Sequence, residues 1–384
     1  MAIRVAFIRY NYDPYGGAER FTDSVMRGLA ERGIEVHIFA RKWAGASSFR
    51  VIPHLIGGPE WPSLLRHATF AHLVCRAVGK ERFDLIHSNE RTLCQDVYRA
   101  GDGVHAQWLQ LRYNHSSRLK KLSIRLNPFH HYLCRLERLL FEDPRLKAVI
   151  VNSHMVRNEI LSRFRIHQDS IHVIYNGVDL KRFHPRHREN IGEHFRKLNG
   201  VTESTSVILL VGSGFERKGV EPLMRAVAAS RGDSLLWIVG KGRKDRYEKT
   251  AGELGIRELT RFFGPREDVV PFFSAADIFA LPTVYDPFPT AVLEAMASGL
   301  PVITTAQCGA AEIIKEGNNG FVVESPTDVD GIARGLARLF SHEVREFMSK
   351  EARRCAEGFP MERTLTEIEG LYRRLLSLPQ DAFP

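Results

Sequence analysis

Short apolar runs alternate with longer amphipathic segments along almost the whole chain, and this alternation is what most restricts its fold. Strands are expected at 3–9, 34–40, 84–88, 148–152 and 171–175, and again at 206–212, 234–239, 260–263, 277–281 and 301–304. Helical periodicity falls between them, at 18–32, 153–164, 218–229, 268–275 and 290–298. Strand–helix order of this kind gives parallel sheets with helices on both faces. The pattern restarts near residue 206, after a polar, basic stretch at 181–205. The expected α/β architecture is therefore two doubly wound, Rossmann-like parallel-sheet domains facing across a cleft, 1–180 and 181–360. Such sheets bind ligands at the carboxyl ends of their strands. A last helix, 361–377, follows Gly358 and Pro360 and is expected to cross back onto the first domain. A length of 384 residues suits two domains.

Composition narrows the class. With 44% hydrophobic and 26% charged residues the chain is an ordinary globular protein rather than a disordered one. Five cysteines, Cys75, Cys94, Cys134, Cys308 and Cys355, are widely spaced and show no metal-ligand pattern, which suits a reducing cytosol. The N-terminal apolar run is interrupted by Arg4 and Arg9, so it reads as a first strand and not a signal peptide. No run approaches the ~18 apolar residues of a membrane span. The net charge of +9 is unevenly placed: residues 1–180 hold 26 Lys+Arg against 17 Asp+Glu, and the remainder holds 28 of each. An anionic partner is expected for the first half.

The chemistry concentrates in a few loops. Asp286-Pro-Phe288-Pro289-Thr290-Ala291-Val-Leu-Glu294 places one acid before a helix start and another about one turn inside it. A helix start offers backbone N–H groups and a positive dipole end, which suit a diphosphate, while the acids can accept bonds from sugar hydroxyls. Arg217-Lys218-Gly219 follows the buried-type strand at 206–212. Two cations there can neutralise a diphosphate without a metal, and at a helix start they oppose the dipole, so a purely structural role lacks a stabilising reason. Gly16-Gly17-Ala-Glu19 follows the first strand and permits close backbone approach to a ligand, although a plain tight turn would look the same. Tyr175-Asn176-Gly177-Val178-Asp179 is either a ligand contact or an interdomain turn. Gly240-Lys-Gly242 and Gly264-Pro-Arg266 end successive strands and could read a base through backbone groups. The dinucleotide fingerprint G-x-G-x-x-G and the P-loop are both missing, which removes the main support for dehydrogenase and NTPase readings.

Residues 103–136 contain no acid. They carry Arg112, Arg118, Lys120, Lys121, Arg125 and Arg135, four histidines, and interleaved Trp108, Leu109, Leu111, Tyr113, Leu119, Leu122, Ile124, Leu126, Phe129, Tyr132 and Leu133. Basic segments with Trp and Leu lie at anionic membrane surfaces; the alternative is an amphipathic helix packed on its own domain.

Together these motifs resemble the retaining family 4 glycosyltransferases of the two-domain GT-B fold, and the likeness covers nearly the whole chain. It is carried by Gly16-Gly17-Ala18-Glu19, Asn176-Gly177-Val178-Asp179, Arg217-Lys218-Gly219 and the pair Asp286 and Glu294. The family usually has glutamate where this chain has Asp286. Within the family the likeness is greatest to transferases that add glucose to an inner-core heptose of lipopolysaccharide. The resemblance implies transfer from a UDP-sugar with retention and no divalent metal or other cofactor. It implies that Arg217, Lys218, Gly16 and Gly17 hold the diphosphate and that Glu294 holds the ribose. Asp286 and the backbone of Phe288 to Ala291 would hold the donor sugar. Asp102 or His105 would face the sugar and the acceptor, a lipid-linked saccharide. The expected setting is a monomer at the inner face of the cytoplasmic membrane, with no nucleic-acid partner. Rival readings are another donor or acceptor within the family, and a basic α/β protein that binds RNA or DNA.

Overall fold

The computed structural model describes residues 3–11, 16–42, 51–114, 116–230 and 232–378. The chain forms two compact units, one running to Tyr175 and resuming at Thr364, the other spanning Asn176–Arg363. The division thus falls just before Asn176 rather than at 180, because residues 176–178 bond within the second unit. The Asn176 side-chain amide donates to the Phe288 carbonyl at 2.7 Å, and the Val178 N–H donates to the Phe359 carbonyl at 2.9 Å.

In the first unit the strands are β1 Arg4–Ile8, β2 Glu35–Ala40, β3 Val51–Leu55, β4 Leu85–Ser88, β5 Val97–Arg99, β6 Ala148–Val151 and β7 Ile171–Val173. The helices are α1 Gly17–Glu31, α2 Ser63–Val78, α3 His105–Asn114, α4 Arg118–Leu126, α5 Pro128–Phe141 and α6 His154–Arg163. Among the described residues the sheet is parallel, in the order β3-β2-β1-β4-β5-β6-β7.

The second unit contains β8 Ser206–Val211, β9 Ser234–Val239, β10 Thr260–Gly264, β11 Ile278–Leu281, β12 Val302–Thr305 and β13 Gly320–Val323. Its helices are α7 Glu193–Leu198, α8 Val220–Ala229, α9 Lys244–Glu253, α10 Val270–Ala275, α11 Thr290–Ala297, α12 Val329–Leu339 and α13 His342–Ala356. This sheet is also parallel, in the order β10-β9-β8-β11-β12-β13. The final helix, α14 Met361–Leu375, counts with the first unit from Thr364 onward. Its Leu365 packs on the bare backbone of Gly28, and the Tyr372 hydroxyl bonds the buried His87 ring.

The sequence accounts for these elements. Every residue of β8 and β9 is buried, so both faces of each strand are covered and the apolar run is continuous rather than alternating. Each fully buried aliphatic side chain stabilises such a sheet by roughly 1.5–3 kcal/mol. On α8, Val220, Leu223, Met224 and Val227 recur at helical spacing and are buried. In both sheets the chain winds outward from the first strand and then returns to its other side. This reversal creates switch points between β1 and β4 and between β8 and β11, where open α/β sheets place their ligands.

Three strands escape the sequence reading. β3 contains Pro53 and pairs on one side only, β5 has three residues, and β13 is an edge strand of four. The basic segment 103–136 is not one amphipathic helix but three helices, α3 to α5. The cysteines are not all separate: Cys75 at the end of α2 and Cys94 after β4 form a disulfide across 19 residues of sequence. No helix among the described residues is long and apolar enough to cross a membrane.

Candidate active site

The switch point of the second unit brings Arg217, Lys218 and Asp286 together. The first two follow β8 and the third follows β11. Lys218 is buried; its Nζ lies 2.5 Å from Asp286 Oδ2, and Arg217 Nη1 lies 3.3 Å from the same oxygen. Backbone geometry makes this approach possible. Gly219 has φ +72°, and a Cβ there would collide with the Pro282 carbonyl. The Arg217 carbonyl then accepts bonds from the Val284 N–H and the Thr283 hydroxyl, both at 2.8 Å, which ties the cation turn to the loop after β11. Asp286 is fixed through its own backbone by Gln307 and Gly309, at 3.1 and 2.8 Å. Burial pulls the Lys218 ammonium below the ordinary lysine value, against the pull of Asp286. The Cys308 thiol beside them is pushed up to about 12 by burial and by Asp286, so it stays protonated.

From the sequence, the acid is expected to hold a sugar and the cations a diphosphate. The structure joins them: two cations share one carboxylate, leaving a net charge of +1, with Arg217 the more exposed of the two. Next to this cluster the loop 287–289 leads into α11, whose N-cap is Pro289, with no side-chain cap on the helix start. Phe288 is buried and its carbonyl is held by Asn176, so Asn176 positions this loop. Glu294 sits half-buried on α11, one turn after Thr290. Gly264 and Arg266 lie elsewhere, at the end of the edge strand β10, two strands from β8.

The switch point of the first unit is richer in acids. Arg9, at the end of β1, lies 2.9 Å from Glu19, 3.6 Å from Glu90 and 3.9 Å from Asp102. Burial works against the Arg9 charge, but Glu90, Asp102 and Glu19 together hold its pKa above the ordinary value. Burial raises the Glu90 carboxyl, and the Tyr10 N–H donates to it at 3.0 Å. Glu19 is therefore an ion-pair partner as well as a helix-start acid. Gly16 and Gly17 lie at the start of α1, with no side-chain cap; Tyr12 to Tyr15 lie outside the described residues. Asp102 is the exposed acid of the group. His105 opens α3, stands 3.1 Å from His130, and has its pKa lowered to about 3 by burial, Arg91 and His130. Arg9, Glu90 and the pair Arg91–Glu137 were not found from the sequence. Only the strand order reveals that residues after β1 and β4 meet.

Helix α4 settles how the basic segment is arranged. Leu119, Leu122 and Leu126 are 82, 54 and 67% exposed, while Ile124 is buried on the other side. One residue back along the same spacing run exposed Arg118 and Arg125 with half-buried Lys121, which lies over the Tyr113 ring, so a basic stripe runs beside the apolar one. Arg112 lies apart from them on α3, over the Trp108 ring, and Lys120 is half-buried on α4. Among the described residues no group of three or more His, Cys, Asp or Glu side chains is arranged to hold a metal ion.

Comparison with known proteins agrees with this architecture. A family described as "Glycosyltransferase Family 4" matches residues 15–182, and one described as "Glycosyl transferases group 1" matches residues 192–357. The lipopolysaccharide glucosyltransferase WaaG of Escherichia coli K12 is 27% identical over 92% of this chain and 94% of its own. A crystal structure of WaaG superimposes with a TM-score of 0.86 at 25% identity, covering 96% of this chain and 99% of that one. A D-inositol 3-phosphate glycosyltransferase of Corynebacterium urealyticum is 26% identical over 99% of this chain and 97% of its own. With one family match in each unit and the GT-B fold throughout, the chain belongs to the family 4 glycosyltransferases.

Proposed function

We propose that this glycosyltransferase moves glucose from UDP-glucose to the heptose inner core of lipopolysaccharide, with retention of configuration and without a divalent metal. The observation that carries the reading is the Arg217–Lys218–Asp286 cluster beside the uncapped start of α11, at a switch point of a family 4 fold. As the bond between the anomeric carbon and the diphosphate breaks, negative charge grows on the leaving oxygen. Arg217 and Lys218 stabilise that charge, and preorganised donors of this kind give large rate effects. The Thr290 and Ala291 end of α11 adds its positive dipole. Asp286 Oδ2 is occupied by the cations, which leaves Oδ1 for a sugar hydroxyl, and Glu294 takes the ribose hydroxyls. Gly264 and Arg266 contact the base. In the first unit Gly16 and Gly17 serve the diphosphate, and Asp102 with His105 serves the acceptor. The acceptor oxygen bonds to the anomeric carbon on the face the diphosphate leaves, and its proton passes to the departing phosphate.

Likeness to the Escherichia coli enzyme supports the choice of glucose and of a lipopolysaccharide acceptor. The apolar and basic stripes of α4 support a peripheral position on an anionic membrane, which we place at the inner face of the cytoplasmic membrane with the enzyme acting as a monomer. The test is the product formed from a panel of labelled sugar nucleotides and a truncated-core lipopolysaccharide. Glucose transferred from UDP-glucose with retained configuration, in the presence of EDTA, is the expected result. Transfer of another sugar, or activity that EDTA abolishes, contradicts it. The likeness to a D-inositol 3-phosphate transferase favours one second reading, a phosphorylated cyclitol acceptor, which the same assay checks by replacing the lipopolysaccharide.

A further inference from the structure

We propose that Glu137 is a positioning residue that fixes the turn bearing Asp102, an inference resting on the role given to Asp102 above. That turn, residues 100–104, joins β5 to α3 and contains two glycines, with Gly103 at φ +71°. Glycine-rich turns have wide conformational freedom, so a reactive side chain carried on one needs external restraint. The residue before α3 is Val104, which has no side-chain acceptor to cap the helix.

The restraint comes from α5. Glu137 is 1% exposed, and its carboxylate accepts from the His105 N–H at 2.6 Å and the Ala106 N–H at 3.3 Å. It thereby supplies from a distant helix the cap that the local sequence lacks, with its negative charge at the positive end of α3. The same carboxylate is paired with Arg91 Nε at 2.9 Å. Arg91 in turn donates from Nη2 to the Gly103 carbonyl at 3.1 Å. One buried ion pair therefore grips the turn on both sides of Val104, immediately after Asp102. Arg91 neighbours Glu90, which bonds the Tyr10 N–H, so the clamp is continuous with the Arg9 cluster. A buried carboxylate with three donors could instead serve only to hold α5 against the sheet. Its placement on the backbone of the Asp102 turn is what points to positioning.

The test combines Glu137→Gln and Glu137→Asp with Asp102→Asn in the full-length enzyme. Glu137→Gln keeps the volume and an acceptor oxygen but removes the charge; Glu137→Asp keeps the charge and withdraws it from the helix end. Both should lower kcat for transfer from UDP-glucose to truncated-core lipopolysaccharide by roughly ten- to a hundredfold, as a misplaced reacting group does. The Kd for UDP should stay unchanged, because the bonds of Glu137 run to Arg91, His105 and Ala106 and not to the residues given to the diphosphate. In the Asp102→Asn background neither substitution should cost much more, because both act through the same side chain. Losses that multiply in the double variant overturn the proposal, as does wild-type kcat in both single variants. If Glu137→Gln does not fold, Glu137→Asp is read in the same cycle. Amide exchange at His105 and Ala106 gives a readout independent of substrate: it should accelerate in both variants while the core of β6 stays protected. If the wild type transfers nothing from UDP-glucose, the proposed function fails on its own; unchanged exchange at these amides overturns the positioning role whatever the substrate.

Discussion

The two switch points share a topology and differ in charge. In the second unit two cations surround one buried acid; in the first, three acids surround one arginine. The same doubly wound frame therefore presents one acid between two cations at β8/β11, and at β1/β4 three acids around Arg9 with Arg91 and Arg99 also in electrostatic reach. A net positive cluster beside a helix start suits a diphosphate. An exposed carboxylate held near a buried guanidinium suits hydroxyl groups. Side chains at equivalent positions of one frame thus give the two switch points different charge, without a difference in fold.

The largest expected effect lies at β8/β11. Lys218→Met should lower kcat/KM by about 10³, because it removes charge stabilisation from the leaving group. Arg217→Ala should cost about 10² on the same grounds. Steady-state transfer assays check both, and retention of more than a tenth of wild-type activity in Lys218→Met would break the comparison.

The next effect is at β1/β4. Arg9→Met strands Glu19 and Glu90 and should destabilise the first unit by about 3 kcal/mol, since a buried partner is left uncompensated. Adding Glu90→Gln should recover part of the loss. Urea denaturation followed by amide exchange separates the two units, and equal loss in both would contradict the assignment.

Acid should also act first on the first unit. Burial, with neighbouring arginines, lowers the pKa of His67 to about 4 and those of His87 and His105 to about 3, against 6.5 unfolded. Between those values the unfolded chain binds more protons than the folded one. Stability is therefore full above pH 6.5 and declines as pH falls through this window. Amide protection measured from pH 7 to pH 4 should fail earlier around β4 and α3 than around β8.

The smallest effect concerns α4. Neutralising Arg118, Lys121 and Arg125 should weaken binding to anionic vesicles by about 1 kcal/mol per residue. Binding to neutral vesicles should hardly change. Sedimentation with both vesicle types checks this, and equal losses on the two would remove the electrostatic part of the membrane reading.

Much of this was legible in the sequence because periodicity reports burial directly. The run Val207–Val211 reads as a strand covered on both faces, and Asp286, Arg217 and Lys218 are readable as short motifs beside such strands. The pairing of Lys218 with Asp286 was not readable, since it depends on β8 and β11 being neighbours although β9 and β10 intervene in the chain. Strand order hid Arg9 with Glu90 for the same reason. Glu137 looked like the acid that ended a basic segment; only the packing of α5 places it on the backbone of His105. The Cys75–Cys94 bond escaped because residues 19 apart give no local signal of proximity.

The most direct test of the account is transfer of labelled glucose from UDP-glucose to truncated-core lipopolysaccharide by the wild type and by Lys218→Met, side by side. A retained-configuration glucosyl product is expected from the wild type and about a thousandfold less from the variant. No product from the wild type, or equal product from both, would contradict it.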